Sequence, residues 1–184
     1  MAMVGPRIGA LGAYAKNVLK DVGIPVAGVG GGRILLHFIK SQKFYAEIAK
    51  TMKEWTPLVV GVAGALIVDL LSTRVRLPEE AVALAINLFA GLASESIEVL
   101  AGYPFATATE KGKLYVKHLE GVATVVVDGT KCTASQSGSE VTFTCPSEVA
   151  EGAYDVVVVG SKKAWYDKIY IYGAPASTSA TSRS

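Results

Sequence analysis

The chain has 184 residues, of which 51% are hydrophobic and only 18% charged, with a formal net charge of +2 and a mean hydropathy of +0.37. A charged share of about 25% is usual, so the composition excludes a disordered chain. The near-balance of charge excludes a strongly basic protein that binds nucleic acid directly by neutralising phosphates. A tightly packed oligomer and a membrane-associated protein both remain compatible with it, and the length suits one ordinary domain or two small ones.

After Pro6, the residues Ile8, Leu11, Ala15, Val18, Leu19 and Val22 recur at spacings of three and four. This predicts an amphipathic helix with proline in its first turn. Lys16, Lys20 and Asp21 interrupt the apolar stretches, unlike a secretory signal peptide. Gly23 to Gly32 is expected to break the helix as a hinge. The run Gly28-Val-Gly-Gly-Gly-Arg33 is no dinucleotide fingerprint. Arg33 stands where the third glycine belongs, Pro25 spoils the preceding strand, and Asp69 is too far along for a ribose contact.

Residues 33–55 are predicted as one amphipathic helix, with Leu35, Phe38, Tyr45, Ile48, Met52 and Trp55 on its apolar face and Lys40, Lys43, Glu47, Lys50, Lys53 and Glu54 largely elsewhere. His37, near the apolar side, reads as a packing residue. Two apolar segments follow, Leu58 to Leu71 and Ala81 to Leu100, joined by a charged connector containing Pro78, Glu79 and Glu80. Proline followed by acidic residues is a sound helix start, so a helical hairpin is expected. A bilayer span needs about 20 predominantly apolar residues. The first segment reaches that length only by including Asp69, and the second only with Glu95 and Glu98 near one end. Gly61, Gly64, Ala65, Ala81, Ala85, Ala90 and Gly91 give spacings that let helices approach closely. They suit a membrane hairpin and equally a dense helical bundle in a protein assembly.

Beyond residue 103 the composition turns to Val, Thr and Tyr, in short alternating runs separated by turns such as Asp128-Gly129 and Gly138-Ser139. Strands are predicted at 113–118, 122–128, 131–137, 140–145, 153–159 and 164–172, forming a β-sandwich of the immunoglobulin kind. Gly138-Ser139 suits a two-residue hairpin turn. Counting back from it sets Cys132 opposite Cys145 as a non-hydrogen-bonded pair, whose Cα atoms approach to about 4.5 Å. A disulfide needs roughly 4.4–6.8 Å, so a Cys132–Cys145 bridge is expected, the alternative being two reduced, buried thiols. Such a bridge implies maturation outside a reducing cytosol, or a hyperthermophile. The strand at 153–159 is expected to be buried on both faces. Tyr166, Tyr170 and Tyr172 share one face of the last strand, either a half-exposed binding surface or a face packed on the helices.

The stretches Val126-Val-Asp-Gly-Thr-Lys-Cys132, Val141-Thr-Phe-Thr-Cys-Pro146 and Gly152-Ala-Tyr-Asp-Val-Val-Val158 resemble the second half of an IPT/TIG-type immunoglobulin-like domain. That resemblance implies an interaction or spacer module, of the kind found on cell surfaces and in some transcription factors, and transfers no catalytic residue.

No GxSxG or HExxH is present, and His37 and His118 lie in different halves without acidic partners in a motif. Glu95 and Glu98 share a helix face that could hold a cation or proton, though a solvated pair is the plainer reading. The expected architecture is α+β in two segregated parts: an α-helical bundle or hairpin over 1–102, an immunoglobulin-like sandwich over 103–173, and a flexible polar tail over 174–184. The expected function is non-enzymatic and structural, with no cofactor or metal. The chain would assemble as a homo-oligomer through its apolar helices and display the sandwich outward, as a virion coat or surface protein or an extracellular filament subunit. The alternatives are a membrane-inserting hairpin acting as a pore or lysis factor, with a lipid membrane as partner, and a glycan- or protein-binding module.

Overall fold

A computed structural model describes residues 24–177. The helix expected over 6–22 and the last residues of the tail lie outside the described residues. The architecture is α+β: helices first, then one antiparallel sheet.

Helix α1 covers Ile24–Lys40, α2 Lys43–Met52, α3 Thr56–Arg74 and α4 Glu79–Leu100, with a 3-10 turn at Lys53–Trp55. The expected break over Gly23 to Gly32 is corrected in its described part, since Gly28, Gly30, Gly31 and Gly32 lie inside α1. At Gly28 and Gly32 the cost in helix propensity, about 1 kcal/mol each, is offset by close approach to α4. A methyl group added at Gly28 would overlap Asn87, and one at Gly32 would overlap Leu88 and Gly91. The expected single helix over 33–55 is interrupted. Ser41 Oγ donates to the Phe38 carbonyl at 2.6 Å, and Gln42 is extended, which redirects the chain into α2. The anticipated apolar face breaks up accordingly: Tyr45 is buried, whereas Phe38, Met52 and Trp55 are exposed.

Helix α3 has Pro57 in its first turn, and α4 starts after Pro78 with Glu79 and Glu80, where carboxylates complement the helix dipole. α4 is flanked on one side by α1 and on the other by α3. α1 runs parallel to α4, as Gly28 meets Asn87 and Gly32 meets Gly91. α3 runs antiparallel, as Ser96 Oγ accepts from the Leu58 amide at 3.1 Å while Gly64 meets Phe89. The three helices therefore form a layer one helix thick.

Seven strands follow: β1 Phe105–Glu110, β2 Lys113–Lys117, β3 Thr124–Val127, β4 Thr130–Ser137, β5 Glu140–Thr144, β6 Gly152–Val159 and β7 Ala164–Ile171. They make a single hydrogen-bonded sheet in the order β1-β2-β5-β4-β3-β6-β7. The sheet coils until β1 and β7 approach one another, so it is nearly closed as a barrel. Leu114, Val125, Val141, Phe143, Val156 and Val158 fill its interior. Six strands occupy the predicted runs. β1 was not anticipated.

In the β4–β5 hairpin, Ser137 pairs with Glu140 and Thr133 with Thr144, which sets Cys132 opposite Cys145. The two form a disulfide, with Cα atoms 4.2 Å apart. Gly138 takes φ +60° at the turn, where a side chain would be strained. β6 is buried on one face only, as Val156 and Val158 point inward while Val159 is exposed. The tail boundary also moves. Residues 174–177 are paired: the Cys145 amide donates to the Pro175 carbonyl at 3.0 Å, and the Ser177 amide donates to the Cys145 carbonyl at 2.7 Å.

Candidate functional site: an apolar helical layer and its charged junction

The layer α1–α4–α3 leaves apolar side chains uncovered to an unusual extent. Leu66 is 58% exposed, Leu70 65%, Ile34 76% and Ile97 63%, with Val59, Val62, Ile67, Leu71, Leu84 and Leu100 also open. A layer one helix thick cannot hide two faces, so amphipathic patterning has no single inside to serve. From Leu58 to Val68, α3 is apolar all round its circumference, a pattern belonging to helices enclosed on every side. Both segments are long and apolar enough to cross a membrane. Their most apolar windows are only 17% and 22% buried within this fold, unlike a soluble core helix.

The small residues sort into two groups. Gly61 and Gly64 lie in the α3–α4 seam, where an added methyl would meet Phe89 and Ala93, and Gly91 lies in the α1–α4 seam against Val29 and Gly32. Ala81 and Ala90 are exposed, and Ala65 and Ala85 are half-buried.

The expectation that Glu95 and Glu98 are solvated is corrected by their partners on α1. Arg33 donates to Glu98 and, at 3.3 Å, to Ser94 Oγ. Lys40 donates to Glu95. Lys40 was assigned to the polar face, yet it is 2% exposed. Its ammonium also donates to Asp167 Oδ2 at 2.5 Å, and it lies 5.9 Å from the Phe105 ring centroid and 5.8 Å from that of Trp165. Phe105 begins β1 and Trp165 lies near the start of β7, so this cation sits at the seam where the two edge strands approach without pairing. Asp167 further accepts the Lys168 amide at 2.8 Å and has His37 Nδ1 at 2.6 Å. His37 is therefore an exposed partner of a buried carboxylate, and its reading as a packing residue is corrected. Among the described residues, Glu95 Oε2 and the hydroxyls of Tyr45 and Tyr172 are buried without a hydrogen bond.

The three tyrosines share a face but not an environment. Tyr166 is open to solvent. Tyr170 donates to Glu151 Oε1 at 2.5 Å, and Lys50 of α2 lies 4.0 Å over the Tyr172 ring. Helix α2 thus covers the last two, which meet edge to face at 5.9 Å. Burial pushes the Tyr172 phenol well up, with Glu47 adding to it. Tyr115 on β2 is pushed up to about 12 by burial and by Glu54. Lys43 bonds Glu151 at 2.8 Å and, with Tyr170, holds that carboxyl below its usual range. Sequence reasoning placed Tyr45 on an apolar face, where it is buried, but missed the junction of Lys40 and Asp167. No local signal marks the pair, since Lys40 is followed by the polar Ser41 and Gln42.

Among the described residues, no group of three or more His, Cys, Asp or Glu side chains is placed to hold a metal. No protein-family model, curated protein or solved structure matches the chain.

Proposed function

We propose that this is a structural protein anchored in a lipid bilayer by its helical layer, with the strand half displayed at the membrane surface. The observation that carries this reading is the exposure of apolar side chains on both faces of the layer. Lengths agree with it. The 19 residues of α3 and 22 of α4 span about 28 and 33 Å at 1.5 Å per residue, against a hydrocarbon core of about 30 Å. Glu95 and Glu98, the residues that counted against α4 as a span, are each neutralised by a cation from α1. Ionisable groups at membrane depth characteristically pair in this way. Phe38, Phe44, Trp55 and Tyr103 are exposed at the end of the layer nearest the sheet, as an aromatic belt at an interface would be.

The strand half carries the interaction or spacer role that the IPT/TIG resemblance implies. Its disulfide supports a place on the oxidising side of the membrane, outside the cytosol or on a virion surface, the alternative being a hyperthermophile host.

A second reading is assembly in water, with helical layers of several copies stacked as in a coat or filament. It is favoured by the Arg33–Glu98 pair, whose side chains are 53% and 41% exposed. A half-open ion pair is cheaper beside protein or water than beside lipid.

Flotation of the purified chain with phosphatidylcholine vesicles, followed by an alkaline carbonate wash, separates the two. Carbonate-resistant association supports the membrane anchor. A detergent-free chain that stays off vesicles and forms regular tubes, shells or filaments in electron micrographs supports assembly in water. A stable detergent-free monomer rejects both.

A further inference from the structure

We infer that the underside of the sheet, beside the end of α4, carries a binding site for the phosphate of an anionic lipid headgroup. This rests on the membrane reading above. His118, Ser161, Lys162 and Lys163 line a pocket of about 200 Å³, together with Glu120. Two loops form it, the one after β2 and the one between β6 and β7. A left-handed residue shapes the first, His118 with φ +56°. The loops are tied together by the Ser161 amide and hydroxyl, which donate to the Glu120 carbonyl at 2.8 and 3.1 Å.

The pocket's place in the fold connects it to lipid. Lys163 Nζ donates to the Gly102 carbonyl at 2.8 Å, two residues beyond the end of α4. Tyr103, the next residue, is 62% exposed. Lys117, adjoining His118, bonds Glu54 at 3.0 Å beside the start of α3. The pocket therefore sits level with the ends of both spanning helices, where headgroups would lie. Lys162 has no salt bridge among the described residues, and Glu120 is the pocket's single carboxylate. Two ammonium groups and an imidazole around a space of this size match a phosphodiester or phosphomonoester. A juxtamembrane cation is worth about fivefold in affinity for an anionic surface.

The test uses the full chain in nanodiscs of phosphatidylcholine with and without phosphatidylglycerol, reading retained lipids by native mass spectrometry after transfer to mild detergent. Wild type is expected to retain phosphatidylglycerol over phosphatidylcholine. Lys162→Glu/Lys163→Glu is expected to lose that preference by more than tenfold, and Glu120→Gln to increase it. An intact Cys132–Cys145 bridge and unchanged melting would show the variants folded. Competition by inorganic phosphate at millimolar levels would mean that free phosphate is the ligand, overturning the lipid assignment. Carbonate-resistant insertion without any phosphatidylglycerol preference, or a preference the variants leave unchanged, overturns this inference while leaving the membrane anchor standing. Failure to insert at all overturns both.

Discussion

Lys40, on the last turn of α1, donates to Asp167 of β7 at 2.5 Å from a position 2% exposed. The contact ties the helical layer to the sheet at the seam where the barrel stays open. Removing Lys40 takes from Asp167 and Glu95 the buried cation they share, and breaking a buried pair costs about 3–5 kcal/mol. Lys40→Met is expected to destabilise the sheet by that order, read by near-ultraviolet circular dichroism of Trp165 during denaturant unfolding. Lys40→Met with Asp167→Asn should recover part of the loss. Additive single losses would show that the two residues are not coupled.

The glycines of α1 make opposite predictions within one helix. Gly30 has nothing within 4 Å of an added Cβ, whereas Gly32 faces the α4 backbone. Gly30→Ala is expected to be neutral or to stabilise by about 0.5–1 kcal/mol, through a less flexible unfolded chain and better helix propensity. Gly32→Ala should force α1 away from α4 and lower the melting temperature. Equal effects at both positions would mean that the α1–α4 seam is not closely packed.

Reducing the Cys132–Cys145 bridge should cost about 3 kcal/mol, the chain-entropy value for a loop of this size. Non-reducing mass spectrometry should find the chain two hydrogens lighter than its reduced form. Cys132→Ala/Cys145→Ala should then melt earlier than wild type by the same margin as reduction produces. A reduced chain of unchanged stability would show that the bridge contributes nothing.

The strand half was largely legible, because its signals are local. Alternation and turn residues marked six strands, and register counted from Gly138-Ser139 led to the disulfide. β1 escaped because Phe105 to Glu110 offers Thr and Ala in place of a Val run, with a bulge between Ala108 and Glu110. The helical half was misread where size mattered more than propensity. Gly28 and Gly32, four apart, carry the same close-approach spacing as Gly61 and Ala65, but propensity alone suggested a hinge. The junction was not legible at all. Lys40 and Asp167 lie 127 positions apart, and nothing in either local sequence reports the other. Burial of Lys40 exists only once the β1–β7 seam has formed over it.

Acid should loosen α2 from the sheet. Glu151 accepts from Lys43 and Tyr170, and its carboxyl is held below the usual range first by the Lys43 hydrogen bond. A carboxyl with a depressed folded pKa stabilises the folded state above its unfolded value, and that contribution fades as pH falls through the folded value. Protection of the α2 amides, taken relative to their intrinsic exchange at each pH, is therefore expected to fall below the ordinary glutamate range. Glu151→Gln should exchange faster already at neutral pH and lose this acid dependence. The effect is small, since the pair is exposed and salt screens it. α2 protection factors indifferent to pH in the wild type would exclude this role.

A single lysine on the outer surface of α3 tests what surrounds the layer. Leu66 is 58% exposed, and it lies near the middle of the span, with no charged residue from Thr56 to Val68. In a bilayer, a charge at that depth costs about 2.5–3.5 kcal/mol on insertion scales. Leu66→Lys should therefore reduce the carbonate-resistant fraction of the full chain made in the presence of microsomes. Val159→Lys, a comparable change at the exposed end of β6, should leave it unaltered. In an aqueous setting the sign reverses: removing an exposed leucine raises solubility, and no membrane fraction exists to lose. Equal insertion of Leu66→Lys and wild type would place that face of α3 away from lipid and refute the bilayer anchor.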